Sequence, residues 1–203
     1  MKSYSELRSM SRAQLKENWG TPILVCIVFS LILIVLNLIP HVGSIATLIL
    51  TGPLMLGFIY FFVNFVRGEN PKIDALFLGF DNLGKSLGLY LLQGLFVFLW
   101  SLLLIIPGII AQFRYAMAFY ILKDNPEIGV KEALTQSSEM MNGYKINFFI
   151  LNLTFIGWFF LSCLTCGIGL LWFIPYISTT QANFYNELKQ LNQTEIPPQI
   201  KEL

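Results

Sequence analysis

The chain has 203 residues, 55% of them apolar and only 12% charged, with mean hydropathy +0.65 and formal net charge +1. Soluble domains carry roughly 25% charged residues, so an ordinary water-facing globule is excluded, and a near-neutral balance offers no footprint for nucleic acid. The charges are also segregated: Thr21 to Val66, Ser86 to Phe113 and Ile146 to Asn186 contain no Asp, Glu, Lys or Arg.

A spanning helix needs about 20 apolar residues, so the first and third stretches each hold two. Open strands are excluded in lipid, and the period-two alternation of an outer-membrane barrel is missing, which leaves helices. The chain begins with an amphipathic segment, Tyr4 to Trp19, among the basic residues Lys2, Arg8, Arg12 and Lys16. The apolar run from Pro22 to Ile39 is longer than a signal-peptide core and ends in no small-x-small cleavage site, so it reads as an uncleaved first span. The first hairpin is expected over 21–39 and 44–66, with its tip at Pro40-His41-Val42-Gly43.

Asn70-Pro71 then reads as a helix start, with Asn as cap and Pro in the first helical position. Ile73, Leu76, Phe77, Phe80 and Leu83 follow at helical spacing. The second hairpin is expected over 87–106 and 108–123, with Pro107-Gly108 at its tip. Asn125-Pro126 opens a matching segment with Val130, Leu134, Ser137 and Met141 on one face. The third hairpin is expected over 146–164 and 168–187, turning at Thr165-Cys166-Gly167. The three amphipathic segments suit either the membrane interface plane or a place packed on the bundle.

Three weak repeats run through this order, approximately 4–70, 71–125 and 126–190. Each opens on an amphipathic segment closed by an Asn/Gly cluster: Asn18-Trp19-Gly20, Asn82-Leu83-Gly84-Lys85 and Asn142-Gly143-Tyr144-Lys145. The reading is therefore an all-α membrane protein, one domain over 1–190 with a polar tail over 191–203. It has six transmembrane helices as three pseudo-repeated hairpins, with interfacial amphipathic helices between them. Every lysine and arginine except Arg114 lies in the N-terminal arm, the connectors or the C-terminal region, and none at a hairpin tip. Positive residues stay inside, so both termini and both connectors are expected in the cytoplasm. The middle hairpin leaves two rivals open. One is a single kinked span over 86–113, which would export Lys123, Lys131 and Lys145; the other is a re-entrant hairpin that keeps them inside.

Arg114 is expected roughly 13 Å along its helix from the charged end, where an arginine must face protein or water. The second limb of each hairpin also carries polar residues at helical spacing: Tyr60 and Asn64; Gln112 and Tyr115; Tyr176, Thr180 and Asn183. If the three limbs face one axis, these residues and Arg114 line a polar interior; otherwise they hold helices together, as small and polar residues commonly do. Cys163-Leu-Thr-Cys166 has redox or metal spacing, but zinc needs four ligands and His41 is the sole histidine, so no metal site, cofactor or catalytic group is expected. Cys26 reads as a packing residue. Trp100, Trp158 and Trp172 read as an outer aromatic belt.

Several runs carry a resemblance: Leu102-Leu-Leu-Ile-Ile-Pro-Gly-Ile-Ile110, Tyr115-Ala-Met-Ala118, and Tyr120-Ile-Leu122 leading into Asp124-Asn-Pro126. Arg67-Gly-Glu69, Leu76-Phe77-x-Gly79-Phe80, Phe155-Ile-Gly-Trp158, Gly167-Ile-Gly169 and Pro175-Tyr176 add to it. Over about residues 4 to 189 the chain resembles an uncharacterised integral-membrane family of Gram-positive bacteria, known only as a domain of unknown function. The resemblance implies a multi-pass bacterial membrane protein and carries over no functional residue. The leading expectation is a non-catalytic protein that binds membrane lipids, or a membrane or cytoplasmic protein partner, at its cytoplasmic face. A small-solute transporter or pore with a polar interior near Arg114 comes second, and a lipid-modifying enzyme third. The residues set no oligomeric state.

Overall fold

A computed structural model describes residues 1–39, 42–165 and 167–195. Among the described residues every regular element is helical: α1 (Tyr4–Glu17), α2 (Gly20–Leu38), α3 (Val42–Val66), a 3-10 helix (Ile73–Phe80), α4 (Leu83–Leu103), α5 (Ile105–Arg114), α6 (Ala118–Asp124), α7 (Val130–Met140), α8 (Lys145–Leu153), α9 (Ile156–Leu164) and α10 (Leu170–Glu195). α2 packs on α3, α4 on α5, and α9 on α10.

α1 starts on a capping box, in which Ser3 and Glu6 exchange hydrogen bonds. The bond from the Ser3 backbone, seconded by its hydroxyl, holds the Glu6 carboxyl below the usual carboxylate range. Leu7, Ser11 and Leu15 recur every fourth residue and are buried. α1 therefore packs on the bundle, against α10.

Among the described residues five segments are long and apolar enough to cross a membrane: Gly20–Leu38, Ile45–Val66, Leu83–Leu103, Ile105–Asp124 and Lys145–Leu164. The last two are each a pair of helices joined by a short turn, at 115–117 and 154–155. The expected sixth limb, 168–187, falls on α10 from Leu170 onward and is not among them. α10 carries Thr179, Thr180, Gln181, Asn183, Asn186 and Glu187, which lower its hydropathy. It is instead sheltered by its neighbours: Thr179, Thr180, Ala182, Asn183, Phe184 and Tyr185 are all buried. The two threonine hydroxyls donate to the carbonyls of Pro175 and Tyr176, at 2.7 and 2.8 Å, so both are satisfied within the helix.

Burial alternates along the chain. Spans Gly20–Leu38, Leu83–Leu103 and Lys145–Leu164 have few buried residues, whereas Ile45–Val66 and Ile105–Asp124 are half-buried. The core is thus centred on α3, α6 with the turn before it, and α10, including Phe61, Phe62, Met117, Leu122, Phe184 and Tyr185, and α1, α2, α4, α7 and α8 add to it. Around it Leu102, Leu103, Leu104, Ile105 and Ile106 form one exposed apolar run. Such a surface is stable only against lipid or another apolar surface.

Three local expectations need correction. The second hairpin breaks at Leu104, whose backbone is extended (φ −163°, ψ 151°), rather than at Pro107-Gly108. Pro107 falls in the first turn of α5, where its missing N–H leaves no bond unmade. The two Asn-Pro pairs do not start helices. Asn70 adopts a left-handed backbone (φ 48°), and Asn125 caps the end of α6, its N–H donating to the Ile121 carbonyl. The 3-10 helix is capped by Lys72 and α7 by Gly129, neither through its side chain. Pro40, His41 and Cys166 lie outside the described residues, and with them part of the first and third tips and the Cys163–Cys166 spacing.

The middle amphipathic segment is a 3-10 helix because it is pressed backbone to backbone onto α3. A Cβ on Gly57 would lie 1.8 Å from the Leu76 carbonyl oxygen, and one on Gly79 would lie 2.0 Å from that of Pro53. No side chain fits at either position.

Candidate functional site

The charged ends of α3, α6 and α10 meet at Asp124. An aspartate in the last turn of a helix faces the negative end of the helix dipole, so its position on α6 is unfavourable in isolation. Cations from other elements offset this. Arg67, just past α3, places its two Nη atoms 2.8 Å from the two carboxylate oxygens. Lys189 of α10 donates to Oδ2, the Tyr185 hydroxyl donates to the same oxygen at 3.0 Å, and Lys123 Nζ is 3.4 Å from Oδ1. Arg67 also donates to Asn186 Oδ1, at 3.0 Å from Nη2 and 3.3 Å from Nε. Hydrogen bonding to Asp124 raises the Arg67 pKa further. Lys123 Nζ stands 5.6 Å from the centre of the Tyr60 ring, and the Tyr120 and Tyr185 rings are 5.1 Å apart. Beside this cluster is a polar cleft of about 550 Å³, reached by Lys2, Arg67, Asn186, Glu187 and Lys189.

A second feature is a cavity of about 850 Å³ between α3, α4, α5, α6, α8 and α10. Its walls are mostly apolar, with four carboxamides: Gln93, Gln112, Asn152 and Gln181. Gln181 donates to Asn152 Oδ1 at 3.0 Å, while Gln93 Oε1 is buried with no partner among the described residues. Leu48, Met55, Leu91, Leu95 and Phe98 line the cavity and are themselves exposed, so it opens on the apolar surface.

The residues expected to share one polar interior are distributed over several places. Gln112 lines the large cavity. Arg114 does not: its Nε donates to Ser138 of α7, its guanidinium lies 5.8 Å from the Tyr115 ring centre, and it is exposed. Tyr115 is buried beneath it, 5.9 Å from Phe96. Tyr60 faces Lys123, and Asn64 Oδ1 is buried without a partner among the described residues. Tyr176 reaches the Arg8 carbonyl of α1 at 3.5 Å, and Thr180 bonds back to Tyr176. Asn183 fastens α1, donating to Ser11 Oγ at 2.9 Å and Gln14 Oε1 at 2.8 Å; Gln14 in turn donates to the Val66 carbonyl at 3.1 Å. Arg114 and Asn183 therefore serve different helices, because the polar segments α7 and α1 each cover one of them.

Asp124, Arg67 and Lys189 were not singled out by spacing. The available signal was an acid closing an apolar limb directly after Lys123. Gln93, Asn152 and Gln181 were equally visible as polar residues within apolar stretches, but Gln93 and Asn152 lie on first limbs and Gln181 lies off the repeating stripe of α10.

The features together define an all-helical protein with several helices fit to cross a membrane, an ion-paired end and a side-opening apolar cavity. The chain belongs to the family described as "Protein of unknown function (DUF975)", whose model matches residues 1–110 and 101–192. No curated protein and no solved structure matches it.

Proposed function

We propose that this chain is a non-catalytic, multi-pass protein of a bacterial cell membrane that binds lipid within its helical bundle. α10 makes the sixth crossing, sheltered behind five more apolar ones. The three hairpins are pseudo-repeats, and both termini and both connectors are cytoplasmic. The observation that carries the reading is the cavity of about 850 Å³, apolar-walled and rimmed by exposed leucines and Phe98, which suits an acyl chain entering from the side. The ion-paired cytoplasmic end gives the bundle a fixed face on which a protein partner could sit. The test compares lipids retained by the purified protein with those retained by Gly94→Phe. A Cβ at Gly94, on the cavity wall, meets nothing within 4 Å, so the substitution narrows the cavity without a backbone clash at that atom.

A transporter is the second reading, favoured by the carboxamides in the same cavity. It calls for a path that also opens to water on both sides.

A further inference from the structure

Arg8 and Arg12 stand four residues apart on α1 and so share a face. Among the described residues neither forms an ion pair, whereas Arg67 is paired with Asp124 and Arg114 is bonded to Ser138. Arg8 Nε is buried without a hydrogen-bond partner. An orphaned guanidinium donor is costly unless something outside the chain satisfies it. Both guanidinium groups lie within electrostatic reach of the Tyr176 hydroxyl, which already donates to the Arg8 carbonyl.

Arg12 and Tyr176 also belong to a groove of about 420 Å³ that runs between α9 and α10 towards Thr165 and Gly169. Its walls are Trp19, Trp158, Leu161, Trp172 and Phe173. The other hydroxyls present are spent within the chain: Ser162 donates to the Trp158 carbonyl and Thr165 to that of Ser162, each at 2.8 Å. Trp158 and Trp172, expected in an outer belt, thus share a groove with Arg12 and Trp19. Among the described residues the groove has positive charge without an ion-pair partner at one end and mostly aromatic and aliphatic surface along the rest.

The geometry points to a binding site for an anionic phospholipid, its phosphate held by Arg8 and Arg12 and an acyl chain laid along the tryptophan groove between α9 and α10. Guanidinium groups match phosphate oxygens in charge and in donor geometry. Indole rings pack on chains near the headgroup level. A free anion would use the arginines and leave the groove empty. The assignment rests on the chain lying in a membrane, but the site is separate from the large cavity.

The experiment measures lipid retained by the purified full chain, by native mass spectrometry after exchange into mixed vesicles of phosphatidylglycerol and phosphatidylcholine. Wild type is expected to favour phosphatidylglycerol by on the order of tenfold, the worth of one charge-assisted contact. Arg8→Gln with Arg12→Gln should abolish the preference, the matching Lys substitutions should keep part of it, and Trp158→Ala with Trp172→Ala should weaken retention. Gly94→Phe should leave the preference intact. The proposal is overturned by equal retention of the two lipids in wild type, or by a preference that survives the double Gln substitution. It is also overturned if inorganic phosphate alone raises the thermal midpoint as much as phosphatidylglycerol does, since that marks a free-anion site. Loss of preference in Gly94→Phe alone would return the lipid to the large cavity, leaving the general lipid-binding reading standing and this site refuted.

Discussion

Arg67 and Asp124 meet in a two-point contact, both nitrogen–oxygen distances 2.8 Å, across 57 residues of chain. The pair ties the end of α3 to the end of α6, and Lys189 extends the tie to α10. Asp124→Asn keeps the shape and removes the charge, leaving Arg67 and Lys189 beside a neutral group. Breaking a fully buried pair costs about 3–5 kcal/mol; with Lys189 37% exposed, about 2–3 kcal/mol is expected. Thermal unfolding in detergent reads this as a clearly lowered midpoint. An unchanged midpoint in Asp124→Asn would remove the cluster from the account of how the hairpins are held.

The contact of the 3-10 helix with α3 makes a sharper steric prediction. Gly57→Ala places a methyl group 1.8 Å from a backbone oxygen, which no rotamer change relieves. The expected cost is about 3 kcal/mol or more, at or beyond the usual overpacking range. Gly84→Ala, where a Cβ meets nothing within 4 Å, should be neutral or slightly stabilising. Equal midpoints for the two variants would contradict the packing described.

Topology is decided by two fusions. A reporter placed after Pro126 and another after Leu191 should both report the cytoplasm if α10 crosses as the sixth span. Opposite signals would mean that only the five more apolar segments cross, with α10 held on one side.

How much of this was legible in the sequence depended on which force set each feature. Segregated charge and long apolar runs fix the helices, because lipid admits few alternatives for a bare backbone. The amphipathic character of Tyr4 to Trp19 is readable from local pattern, and the fold buries its Leu7, Ser11 and Leu15. Asn70 reads as a cap in the sequence because a cap and a left-handed turn use the same residue type, and only the path of the chain decides between them. The 3-10 geometry of residues 73–80 comes from Gly57 and Gly79 meeting across the fold, which periodicity cannot register. Arg114 was read against its own helix alone, while its partner Ser138 comes from a connector whose docking is a tertiary fact. Asp124 escaped notice because its meaning lies in Arg67 and Lys189, both distant in sequence.

Solute or ion flux separates the two functional readings. Proteoliposomes of the wild type are expected to show no solute or ion flux, and Arg114→Ala should change only stability, by about 1.5 kcal/mol or less for one exposed hydrogen bond. Flux that depends on Arg114 would favour a transporter and contradict a binding role.

The most direct test of the central claim is the lipid content of wild type and Gly94→Phe purified side by side in mild detergent. Bound phospholipid per chain, quantified by mass spectrometry, should fall in the variant while its thermal midpoint stays close to that of wild type. Equal lipid content in two equally stable proteins would contradict the claim that the large cavity holds lipid.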